Sequence, residues 1–100
     1  MDDRIMKKNG NISLQGHIMV PQDRLEAVRS ALPLHISLSR KELGCLSFNV
    51  TESSIETGRF NVNERFSDQD SFDAHQKRGA TSAWAEITAG IPRHYTVTKD

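Results

Sequence analysis

Apolar and polar residues alternate with a period of two in four separate stretches of this chain, and apolar positions recur at helical spacing between them. Ile12, Leu14, Ile18 and Val20 alternate with Ser13, Gln15 and His17, which predicts a first strand over 12–20 with one wet or interfacial side. Pro21 then opens a helix. Leu25, Val28, Leu32 and Ile36 fall at helical spacing through Leu38, and Asp23 and Glu26 lie in the early turns, where the helix dipole favours negative charge. Pro33 removes one backbone hydrogen bond, so a kink or break is expected near 29–33. Gly44 is placed to close this helix in a left-handed conformation at the C′ position.

The second half repeats the pattern. Leu46, Phe48 and Val50 alternate with Ser47 and Asn49 as a second strand, and Phe60, Val62 and Phe66 mark a third. Glu64 falls on the apolar face of that third strand, where a carboxylate must find a partner or shift its pKa. Ser67 and Asp70 have capping-box spacing ahead of a helix on which Phe72, His75 and Gln76 share a face, ending at Gly79. Thr81 or Ser82 caps a short helix with Trp84 and Ile87 on one side, closed by Gly90, and residues 93–98 form a last strand with Tyr95 and Val97 apolar. The order strand, helix, strand, strand, helix, helix, strand is that of an α+β, ferredoxin-like split βαβ sheet with its helices on one face. Strand parity then puts Ser13, Gln15, His17, Ser47, Asn49, Asn61, Asn63, Arg65, Thr96 and Thr98 on the open face.

Composition narrows the function classes. Residues 1–10 are charged and polar with only Ile5 and Met6 to bury, so they are expected to form a flexible N-terminal tail ahead of one domain over 11–100. Hydrophobic residues are 36% of the chain, low for a domain of 100 residues, which points to burial completed by a second copy and hence a homodimer. Thirteen basic residues offset thirteen acidic ones, leaving no field to hold nucleic acid or an anionic membrane. A lone cysteine, Cys45, excludes an internal disulfide, and no apolar run approaches the length of a spanning helix or a signal segment. A cytoplasmic protein is expected.

Three stretches carry a family likeness: Glu42-Leu43-Gly44-Cys45-Leu46-Ser47-Phe48, then Arg59-Phe60-Asn61-Val62-Asn63-Glu64-Arg65-Phe66, then Ser71-Phe72-Asp73-Ala74-His75. Their order and spacing resemble the antibiotic biosynthesis monooxygenase family, whose usual wording is a Glu-Pro-Gly-Cys-like helix end, a strand ending in Glu-x-Trp, and a helix carrying Ala-His. The resemblance spans residues 12–97. It implies a dimeric α+β barrel in which two sheets meet through their open faces. It also implies a monooxygenase that uses molecular oxygen on electron-rich phenolic or quinol-like rings, without flavin, haem or metal. The chain departs from the family's wording in three places. Phe66 stands where the strand commonly ends in tryptophan. Val62, Phe66 and Phe72 stand where polyketide monooxygenases carry asparagine, tryptophan and tyrosine. The haem-degrading branch needs a first-strand asparagine, that tryptophan and the helix histidine, of which His75 alone is present.

The chemistry such a pocket needs is modest: bind the ring, help remove a proton, and exclude water. Phe48, Phe66, Phe72 and Trp84 are candidate walls, Glu64 and His75 the candidate catalytic pair, and His35 a further polar group. No cofactor is implied, and the spacing of His35, Glu64 and His75 is unlike compact metal-ligand pairs. A small aromatic substrate and oxygen are the implied partners. A non-oxidative isomerase, decarboxylase or ligand-binding dimer on the same scaffold is the alternative, since fold does not decide chemistry.

Overall fold

The computed structural model describes residues 10–100, so the expected tail lies, apart from Gly10, outside the described residues. In chain order the elements are β1 (Ile12–Met19), a 3-10 turn (Gln22–Arg24), α1 (Leu25–Arg40), β2 (Cys45–Glu52), β3 (Arg59–Phe66), α2 (Gln69–Gly79), α3 (Ala83–Ile87) and β4 (Arg93–Lys99). The sheet order is β2-β3-β1-β4, with every neighbouring pair antiparallel. Strands β1 and β2 are therefore parallel with β3 inserted between them, which is the expected ferredoxin-like split βαβ arrangement. One sheet face buries Ile12, Leu14, Ile18, Phe48, Val50, Phe60, Val62 and Phe66 against Leu25 and Val28 of α1 and Phe72 of α2. The other face carries the polar set and borders a broad trough of about 700 Å³, where the His17 and His94 rings stack at 4.9 Å.

Side-chain hydrogen bonds fix the helices on this sheet. Arg40, at the end of α1, donates through Nε to the Phe48 carbonyl at 3.0 Å and through Nη2 to Asn49 Oδ1 at 3.0 Å. Arg24 donates through Nε to the Ile87 carbonyl at 3.1 Å and through Nη2 to the Ala89 carbonyl at 2.8 Å, satisfying acceptors that the end of α3 leaves open. Together they lock both ends of the helical layer.

Four local details differ from the pattern-based expectation. Helix α1 contains Pro33 and is not broken there. The carbonyl that loses its donor is Arg29's, and both residues are exposed, so water can take the missing donor's place. Gly44 does have a left-handed φ of 83°, but α1 ends four residues earlier with Lys41 as its cap, so this glycine shapes the entry to β2. A Cβ there would lie 2.0 Å from Ser71 Oγ and 2.4 Å from Ser71 Cβ, because the backbone passes directly against the first turn of α2. At the start of β2 a bulge separates Cys45, opposite Phe66, from Ser47, opposite Arg65. Leu46 is the extra residue and is left exposed, while Cys45 packs against the core in its stead.

The fourth difference is the cap of α2, which is Asp68 rather than Ser67: the Ser71 N–H donates to Asp68 Oδ1 at 2.8 Å. Asp68→Ala should lower the melting temperature by roughly 5 °C, whereas Ser67→Ala should change it little. Equal shifts in the two variants would show that the hydroxyl shares the capping role.

Candidate active site

Glu64 owes its position to strand parity. On the inner face of the sheet it lies between Phe48 of β2 and Leu14 of β1, with Val62 and Phe66 on either side along its own strand. Only 6% of its surface is exposed. Burial, with a smaller contribution from the charge of Glu42, pushes its pKa up to about 7. Its Oε1 has no hydrogen-bond partner among the described residues.

His75 reaches the same spot from α2. It follows Phe72 by three residues, so both rings face the sheet; its imidazole lies 4.9 Å from the Phe66 ring and 5.3 Å from that of Phe48. Nδ1 is 2.7 Å from Glu42 Oε1, and Nε2 is 3.6 Å from Glu64 Oε1. The second Glu42 oxygen accepts from Nε of Arg78, whose Nη2 donates to the buried Ser39 hydroxyl at 3.1 Å. A carboxylate only accepts, so the short Glu42 contact places a proton on Nδ1. In the neutral ring, Nε2 therefore turns its lone pair toward Glu64. At 3.6 Å the two are just outside hydrogen-bond distance, and a side-chain shift of under an ångström joins them.

His35 of α1 stacks nearly parallel on Trp84 of α3, with centroids 4.6 Å apart, and stands edge-on to Phe48 at 5.3 Å. Burial, then the charges of His75 and Arg78, push its pKa down to about 4, so it is a neutral imidazole at physiological pH. Its Nδ1 is buried without a hydrogen-bond partner among the described residues. Tyr95 on β4 is pushed up to about 12 by burial and remains a phenol. Arg93 donates to Thr88 Oγ1 at 2.9 Å and to the Ile91 carbonyl at 3.2 Å.

These groups border a cleft of about 280 Å³ between the sheet and the helical layer, lined by His35, Glu64, His75, Gln76, Gly79, Ala80, Trp84, Ala85, Arg93 and Tyr95. Among the candidates from sequence, His35, Glu64, His75 and Trp84 thus share one cavity. Phe48, Phe66 and Phe72 lie behind it, 1%, 0% and 8% exposed, packed on the imidazoles and on each other. Pattern reading had not marked Glu42, Arg78, Tyr95 or Arg93. Arg78 carried a usable signal, since it follows His75 at i+3 and so shares its helix face. Glu42 did not, because its partners are 33 and 36 residues away.

A split βαβ sheet with an aromatic and acid–base cleft under its helices defines the class of the protein: a ferredoxin-like α+β domain. More particularly, the chain belongs to the antibiotic biosynthesis monooxygenase family, whose family model matches residues 11–87. Solved structures share the fold. A protein named as a putative antibiotic biosynthesis monooxygenase from Nitrosomonas europaea superposes with a TM-score of 0.79 at 20% identity, over 92% of this chain and 91% of that one. A Bacteroides thetaiotaomicron protein of unknown function, described as a possible oxidoreductase, gives 0.73 at 21% identity over 92% and 99%. A Caulobacter crescentus protein named like the first gives 0.70 at 18% identity over 96% and 97%. No curated protein matches the chain in sequence. Among the described residues, no helix is long and apolar enough to cross a membrane.

Proposed function

We propose that the protein is a cofactor-independent monooxygenase that oxidises a small aromatic or quinol-type metabolite with molecular oxygen, acting as a cytoplasmic homodimer. The observation that carries this reading is the Glu64–His75 pair at the inner wall of the cleft between sheet and helices. A carboxyl group with a pKa of about 7 is half ionised at neutral pH, near the optimum for a general base, and the imidazole beside it takes up the proton. Loss of a proton makes a phenolic or anthrone-type ring electron-rich enough to reduce oxygen. For an anthrone-type substrate a ring CH2 becomes C=O: two C–H bonds break, one oxygen atom enters the product, and the other leaves with both hydrogens as water. The substrate supplies all four electrons. Trp84 and the neutral His35 offer flat apolar surface to the ring, and the Tyr95 hydroxyl donates to its oxygen substituents.

The test is oxygen uptake with a panel of anthrones and quinols, with one atom of labelled oxygen traced into the product. Turnover that persists unchanged under nitrogen would overturn it. That outcome would favour the second reading, proton transfer or ligand binding without oxidation, to which the apolar Val62, Phe66 and Phe72 also lend support.

The homodimer is proposed to form through the open sheet face, where Asn61 and Asn63 sit beside Arg59 in the broad trough. Sedimentation at micromolar concentration should give twice the chain mass of 11.2 kDa. Asn61→Asp or Asn63→Asp should weaken the association, because a two-fold axis brings the new charges together. The chain mass alone would refute this assembly.

A further inference from the structure

His75 lines two cavities. On one side is the cleft with Glu64; on the other is a hollow of about 260 Å³ along the face of α2 that meets the α1–β2 connection, bordered by Glu42, Leu43, Ser71, Ala74 and Arg78. The imidazole is the partition between them, 5% exposed, with Glu64 at its inner nitrogen and Glu42 at its outer one. Glu42 is neither in the cleft nor buried to the same degree, its side chain being 16% exposed. A base that removes a proton has to pass it on before it can act again, and a route that does not run through the occupied cleft leaves the bound ligand undisturbed.

We propose that Glu42 is a positioning residue that holds the His75 proton on Nδ1, keeps the Nε2 lone pair turned to Glu64, and makes the row Glu64–His75–Glu42 the route by which a proton leaves the cleft for the outer hollow. The proposal rests on the oxygenase reading only for the origin of the proton. Glu64 breaks the ligand's acidic bond and becomes a carboxylic acid. Its proton passes to Nε2 once the 3.6 Å gap closes, giving an imidazolium held between two carboxylates. The Nδ1 proton then leaves through Glu42 to solvent, which leaves His75 neutral with its proton on Nε2. Once product has left, the Nε2 proton is lost to water in the emptied cleft and Nδ1 is reprotonated from solvent through Glu42, so the starting tautomer is restored and, over the cycle, the ring gains two protons and loses two. Arg78 keeps Glu42 in place and offsets its charge, and Ser39, which is fully buried, anchors Arg78 from α1. The charged or titratable groups facing His75 are thus Glu42 from the α1–β2 connection, Glu64 from β3, Arg78 from its own helix, and His35 from α1.

Nitrogen-15 NMR of the imidazoles reads the position of the proton without any substrate. At alkaline pH, wild-type His75 should be the Nδ1–H tautomer. In Glu42→Ala it should change to mainly Nε2–H, the form that free imidazole side chains prefer. Formate, which fits the vacated hollow beside Arg78, should restore the Nδ1–H form. A wild-type Nε2–H tautomer, or a tautomer unaffected by Glu42→Ala, overturns the proposal. Should Glu42→Ala not fold, the isosteric Glu42→Gln replaces it. Its amide turns the donor NH2 to Nδ1 or the carbonyl to Nδ1–H, so a shift toward Nε2–H supports the proposal; Glu42→Leu, which fills the space and cannot accept, decides it, an Nδ1–H tautomer there overturning the proposal. With an accepted substrate, Glu42→Ala should lose at least 10-fold in kcat with KM within threefold, and formate should recover part of the loss. Absence of turnover in the wild-type protein would count against the oxygenase reading, and the tautomer result would still decide the role of Glu42.

Discussion

His75→Ala and Glu64→Gln should each reduce turnover by roughly 10²-fold or more while leaving the fold intact, the usual reach of one general acid or base. The two side chains converge on one cleft from different elements, with Nε2 and Oε1 3.6 Å apart, and the proposed mechanism has them act on the same proton. Their effects should therefore not add: the double variant should lose little beyond the worse single one. The pH dependence follows from the carboxyl. With a pKa of about 7, Glu64 is protonated in acid and unable to accept, so kcat/KM should rise as pH passes through neutrality, and Glu64→Gln should remove that limb. Full activity in His75→Ala would return the histidine to a structural role and leave the cleft without an identified proton acceptor.

Stability should change with pH in a way that separates Glu64 from His35. A carboxyl whose pKa is raised on folding, from 4.5 to about 7, holds its proton in the folded chain after the unfolded chain has lost it. Stability therefore falls as pH rises across that interval, by about 3 kcal/mol at most. His35 has the opposite sense. Its pKa falls from 6.5 to about 4, so the unfolded chain takes up the proton first and stability falls as pH drops through that range. Between pH 4.5 and 6.5 the two slopes largely offset each other in the wild-type protein. Glu64→Gln removes one of them. Urea denaturation should find this variant close to wild type near pH 4.5 and more stable above pH 7, by up to about 3 kcal/mol. A difference that stays constant across pH would mean that the carboxyl is not desolvated. Gain of stability with loss of activity at one residue is the trade-off expected of a functional group held in an unfavourable site.

The features that depend on periodicity were legible in the sequence. The alternation Phe60, Val62, Glu64, Phe66 fixes which way Glu64 points, and the three-residue step from Phe72 to His75 does the same for the histidine. Both reached the cleft as expected. Trp84 and His35 also met there, although only a stack between two helices brings their rings together. What periodicity missed was a one-residue irregularity and a long-range partner. The bulge at Leu46 shifts the parity of β2 by one, and no residue type in Cys45-Leu46-Ser47 announces it. Asp68 takes the cap in place of Ser67 because Ser67 is still tied to the β2 entry, its N–H donating to the Gly44 carbonyl at 2.8 Å, so the helix begins one residue later than the capping-box spacing implies. Glu42 was read as part of a helix end. Its role depends on α2 folding back over the α1–β2 connection, where Gly44 leaves room for Ser71, a contact between residues distant in the chain.

The sheet order β2-β3-β1-β4 gives the two walls of the cleft unequal resistance to opening. Glu64 sits on β3, which is hydrogen-bonded along both of its edges, whereas among the described residues β4, which carries Tyr95 and Arg93, is paired only to β1. Every second amide of β4 faces outward with no strand of the described residues beside it. Amide hydrogen exchange should therefore be fastest in β4 and slowest in β1 and β3, in a gradient that runs across the cleft itself. Fraying of β4 loosens the Tyr95 and Arg93 wall while Glu64 and His75 stay held. The cleft thus has a soft side for passage and a stiff side for chemistry.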